Sequence, residues 1–66
     1  MTITVNGQER EARSGVTVAE LLAALEIAVK HVAVEVNLEL VPRSRHADRA
    51  LQAGDRVEVV TLVGGG

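Results

Sequence analysis

Few side chains in this sequence could do chemistry. There is no cysteine, so it offers no thiolate nucleophile, no disulfide and no Cys-x-x-Cys pair for a metal. The two histidines, His31 and His46, lie well apart with no third ligand or catalytic partner in view, and both read as solvated surface residues. Glu9, Glu11, Glu20, Glu26, Glu35, Glu39 and Glu58 fall mostly at alternating outward strand positions or on a polar helix face, the pattern of solvated carboxylates. Arg43, Arg45 and Arg49, with His46, form a local basic patch that reads as a solvated loop; its functional alternative is an acidic partner surface. No glycine-rich loop opens a helix, so a phosphate cradle of that kind is missing.

What remains is the end of the sequence, where Val59, Val60, Leu62 and Val63 run into Gly64, Gly65 and Gly66. Glycines without side chains fit a narrow channel and take φ values closed to other residues. A thin strip ending in a carboxylate suits delivery of that group into another protein's active site. A carboxylate is inert until activated. Formation of an acyl-adenylate supplies a leaving group, and a sulfur nucleophile can then replace it to leave a thiocarboxylate. On this reading Gly66 carries the reactive group, and Gly64 and Gly65 thread the partner's site.

The elements before the tail must hold it in place. Thr2 to Val5 alternates with the period of a half-buried strand, and Asn6-Gly7 is a strong hairpin signal. Gln8 to Ala12 is a polar partner strand suited to a sheet edge. Thr17 and Glu20 have capping-box spacing, Val16 and Leu21 that of a hydrophobic staple, and Val18, Leu21, Leu22 and Leu25 form one helical stripe. Val32, Val34 and Val36 restore the strand period; Asn37 opens a turn into a short strand, Leu38 to Val41, ended by Pro42. Arg43 to Ala50 could hold a short helical turn with Leu51 packed beneath it. Ala53-Gly54-Asp55 marks a turn before a last strand, Arg56 to Val63. One sheet over one helix accounts for these elements, with the last strand parallel to the first: an α+β, β-grasp arrangement of four to five strands. Residues 1–63 make the domain, and 64–66 a flexible glycine tail. Val57 and Val59 face the helix, whereas Val60 and Leu62 fall on the face that Arg56 and Glu58 occupy. With Val63, they are the candidate docking residues.

Composition narrows the function further. Nearly half of the 66 residues are hydrophobic and none is aromatic, which fits a small aliphatic core. The net charge of −2 argues against nucleic-acid or anionic-membrane partners. No segment resembles a signal peptide or a membrane span, so a cytoplasmic protein is expected.

Taken together, Val5-Asn6-Gly7, Thr17-Val18-Ala19-Glu20-Leu21-Leu22, Val34-Glu35-Val36-Asn37, Val41-Pro42-Arg43, Gly54-Asp55-Arg56-Val57-Glu58-Val59-Val60 and Val63-Gly64-Gly65-Gly66 resemble, in order, the ThiS family of sulfur carriers in thiamine biosynthesis. The resemblance implies a ubiquitin-like β-grasp fold and a protein co-substrate, not an enzyme, with no cofactor of its own. It implies adenylation of Gly66 by an ATP-dependent, ThiF-like adenylyltransferase, sulfur from a cysteine desulfurase or similar system, and delivery to a ThiG-like thiazole synthase. The same tail chemistry would serve molybdopterin formation, another sulfur metabolite, tRNA thiolation or attachment to lysines. A β-grasp binding module without carrier chemistry is the alternative from another class. A β-grasp ferredoxin is excluded by the missing cysteines.

Overall fold

The computed structural model describes residues 1–62, the side chain of Val29 excepted. Strands β1 (Thr2–Val5) and β2 (Gln8–Glu11) form the first hairpin, followed by helix α1 (Val18–Ala24), a 3-10 turn (Val29–His31), β3 (Val32–Val36) and β4 (Glu39–Val41). A second 3-10 turn (Arg43–Arg45) and a loop lead to β5 (Arg56–Thr61). The sheet order is β2-β1-β5-β3-β4, with β5 parallel to β1 and antiparallel to β3. The last strand therefore lies at the centre, and the expected parallel pairing of first and last strands is present.

The first turn forms as its sequence requires: Asn6 and Gly7 both take positive φ, 51° and 83°. The β3–β4 turn does the same with Asn37 and Leu38, at 53° and 70°. A leucine there accepts the left-handed region without glycine's freedom.

Helix α1 starts on the expected capping box. The Thr17 hydroxyl accepts from the Glu20 N–H at 3.1 Å, and the Glu20 carboxylate accepts from the Thr17 N–H at 3.0 Å. That backbone hydrogen bond, helped by Arg13 at 3.1 Å, holds the Glu20 carboxyl below the ordinary carboxylate range. The helix ends after two turns in a Schellman closure: the Ile27 N–H reaches the Leu22 carbonyl and the Glu26 N–H that of Ala23. Glu26 stands at φ 58°, where glycine is usual. The left-handed region costs a side-chain-bearing residue about 1–2 kcal/mol, partly offset in a Glu26→Gly variant by the entropy glycine adds to the unfolded chain. Glu26→Gly is expected to raise stability by roughly 0.5 kcal/mol, a Tm gain of about 2–4 °C; a lower Tm on thermal melting would contradict this.

The core sits between the helix and one sheet face. Ile3, Leu22, Leu51, Val18, Val34, Val36 and Val57 are all essentially inaccessible, and each such side chain contributes about 1.5–3 kcal/mol by burial. The loop before β5 is laced to the helix start by the Val18 N–H to the Arg49 carbonyl, the Ala19 N–H to that of His46 and the Leu51 N–H to that of Val16. His46 corrects the expectation of a solvated histidine. It is 5% exposed, its Nε2 is 3.1 Å from the Val41 carbonyl, and its Nδ1 is buried without a partner among the described residues. Its place between β4 and the helix start, invisible in local sequence, removes it from the basic patch. Among the described residues no helix is long and apolar enough to cross a membrane, and no group of side chains could hold a metal ion.

Candidate functional site

The site begins with the strand that carries the tail. β5 lies between β1 and β3, and polar side chains fasten it where the neighbouring ladders run out. β1 turns away at Asn6, whose backbone N–H donates to the Val57 carbonyl at 2.8 Å. The Asn6 carboxamide oxygen then accepts from the Val59 N–H at 2.8 Å, doing the work of the next strand carbonyl. At the start of β5, the Asn37 side chain accepts from the Arg56 N–H and donates to the Asp55 carboxylate, both at 3.0 Å. The other Asp55 oxygen accepts from the Gln52 N–H at 2.8 Å. Asp55 is a buried carboxylate with both oxygens engaged. Beyond the strand, the Leu62 N–H donates to the His31 carbonyl at 2.6 Å. The chain is thus fixed as far as Leu62.

The second part of the site is the sheet face away from the helix. Val57 is 1% exposed and Val59 half-buried on the core side, while Val60 is 50% and Leu62 53% exposed. No strand or loop covers these two side chains among the described residues, as the broken alternation of β5 predicts. Register adds neighbours that were not singled out from sequence. Ala33 stands opposite Val60, and Leu40, 65% exposed, stands opposite Glu35, diagonal to Ala33. Leu40, Ala33 and Val60 therefore cross three strands as one apolar band. The signal for Leu40 was the alternation of β4, which buries Val41 on the other face. The Asn6, Asn37 and Asp55 fastenings had no comparable signal, since each was read only as a turn residue.

Other expected residues stand apart. His31 is exposed and contributes its carbonyl. Arg43 is exposed, Arg45 pairs with Asp48 at 3.0 Å, and Arg49 donates to the Ala50 carbonyl at 2.6 Å. These arginines lie in the segment that follows β4. Val63, Gly64, Gly65 and Gly66 lie outside the described residues.

A central last strand, parallel to the first and backed by one helix, defines a ubiquitin-like β-grasp domain with an open, partly apolar sheet face. The crystal structure of the thiamine biosynthesis protein ThiS from Geobacter metallireducens has the same fold, with a TM-score of 0.88 and 36% identity over the whole of both chains. The family model of ThiS matches residues 3–66, and the chain belongs to the ThiS family. It is 33% identical to the sulfur carrier protein ThiS of Escherichia coli, each chain covered in full. It is also 44% identical, over its whole length, to part of a thiazole synthase of Paramagnetospirillum magneticum, of which it spans only 20%.

Proposed function

We propose that this chain is a sulfur carrier of thiamine biosynthesis, acting as a co-substrate of partner enzymes. The observation that carries this reading is the family match, which extends over residues 3–66 and so takes in the glycines as well as the domain. Residues 1–63 serve as the gripped body, and 64–66 as the strip presented to the partner.

In the proposed cycle the Gly66 carboxylate attacks the α-phosphorus of ATP in a ThiF-like partner, releasing pyrophosphate and forming an acyl-adenylate. A persulfide from a cysteine desulfurase or similar system then displaces AMP to give an acyl disulfide, and attack by a thiol of the sulfur-donating system releases the thiocarboxylate and leaves a disulfide behind. A ThiG-like thiazole synthase takes that sulfur into the thiazole ring. The occurrence of a related segment inside a thiazole synthase supports this last partner, since it places carrier-like sequence and synthase in one polypeptide. The chain itself binds no cofactor in this scheme; ATP belongs to the activating partner. Val60, Leu62 and Val63 form the docking surface beside the tail.

The intact mass after incubation with ATP, an activating partner and a sulfur source tests the reading. The expected result is a gain equal to one oxygen replaced by one sulfur, localised to Gly66 by fragmentation. An unchanged mass, with a partner active on another carrier, would reject it. Docking is tested separately by Val60→Asp and Leu62→Asp. Burial of such a side chain is worth about 1.5–3 kcal/mol, so each variant is expected to weaken partner affinity by roughly 10- to 100-fold while leaving Tm nearly unchanged. Native affinity in both variants would remove these residues from the interface.

A further inference from the structure

The outer sheet face carries a feature that its own fold does not require. Glu35 on β3 and Glu58 on β5 stand directly opposite one another in the antiparallel register. Cβ atoms of such a pair are about 4.5–5.5 Å apart, and like charges there are destabilising. Among the described residues neither carboxylate has a cation within ion-pairing distance. Arg56 stands two places before Glu58 on the same face, yet forms no such pair. The two glutamates also sit inside the apolar band: Leu40 is opposite Glu35, and the Ala33–Val60 pair is the next rung on this face.

Two like charges kept side by side beside exposed leucine and valine describe one half of a contact. The apolar residues call for an apolar counterpart, and the paired carboxylates for a cation between them. We infer that the occupant of this face is a protein surface with an apolar centre and an arginine or lysine that reaches Glu35 and Glu58 together. A guanidinium suits the position best, because its planar fork of donors can serve two carboxylates at once. This rests on the reading that an adenylating partner grips the carrier, and it deepens that reading by stating what the partner's docking surface must carry. The charge pair thereby favours partners with that cation and disfavours apolar surfaces without it.

The test measures the affinity of the full chain for its adenylating partner by calorimetry, in low and moderate salt, for the native chain and for Glu35→Gln, Glu58→Gln and Glu9→Gln. Glu9 lies on the same face but on the far edge strand, so its substitution changes net charge equally without touching the pair. The expected result is at least tenfold weaker binding for the Glu35 and Glu58 variants and less than twofold for Glu9→Gln. Native binding should weaken with salt, and Tm should be unchanged or higher in the pair variants because repulsion is relieved. Sulfur loading should still reach completion at saturating partner. Unchanged affinity at both positions, or equal weakening by Glu9→Gln, would overturn the inference while leaving the carrier reading intact. Failure of the native chain to gain sulfur would instead defeat the carrier reading.

Discussion

One alanine added after Gly66 is expected to lower sulfur loading by at least about 100-fold while leaving Tm unchanged. The proposed chemistry begins at a carboxylate, and an extra residue moves that carboxylate along the chain by about 3.3–3.6 Å. Reacting atoms must approach to about 3–3.5 Å in the right direction, and a displacement of even 1 Å can lower the rate by about 100-fold. On the proposed threading of the glycines, the alanine also adds a Cβ to a strip that otherwise has none. Among the described residues the last buried side chain is Val57, well before the added residue, so Tm is expected to stay the same. Gly65→Val is the companion variant: it leaves the carboxylate at Gly66 but widens the strip. Intact mass with time reports loading, and thermal melting reports the fold. An extended chain that gains sulfur at the native rate would defeat the assignment of Gly66.

Asp55→Ala should have the largest effect on stability among the polar substitutions. The residue is 8% exposed, and its carboxylate accepts from the Asn37 side chain and the Gln52 N–H. Removing it costs two charge-assisted hydrogen bonds and leaves both donors short of an acceptor, about 2–4 kcal/mol together. In a domain of this size that corresponds to a fall in Tm of about 10–30 °C. Asp55→Asn, which keeps an acceptor oxygen, should fall between the two. A loss of only a degree or two in Asp55→Ala would show that the Asn37 fastening stands without it.

Much of the fold was legible because local signals agreed with one another. Asn6-Gly7, the Thr17–Glu20 capping box and the alternation of Val32, Val34 and Val36 each name one element, and each formed where expected. The open site face was legible for a related reason: Val60 and Leu62 break the period that Arg56 to Val59 establish. The hidden parts depend on residues distant in sequence. Nothing near His46 indicates that its ring will point at the Val41 carbonyl beneath the helix start. Asp55 looks like any turn aspartate until Asn37 is brought beside it, and the Glu35–Glu58 opposition exists only once β3 and β5 are in register. Glu26 was missed for another reason. A glycine there would have announced the helix end, but a glutamate in the left-handed region announces nothing.

The central position of β5 also bears on how the carrier withstands being handled. Hydrogen bonds of a sheet run across the strands, so a pull applied beyond Leu62 along the strand axis loads the contacts to β1 and β3 in shear. Those bonds must yield together, with the Asn6 and Asn37 fastenings among them, instead of opening one after another as they would at a peeled edge strand. On the proposed carrier reading, a partner that draws on the chain beyond Leu62 and holds it under tension leaves the body it is drawn from in shape.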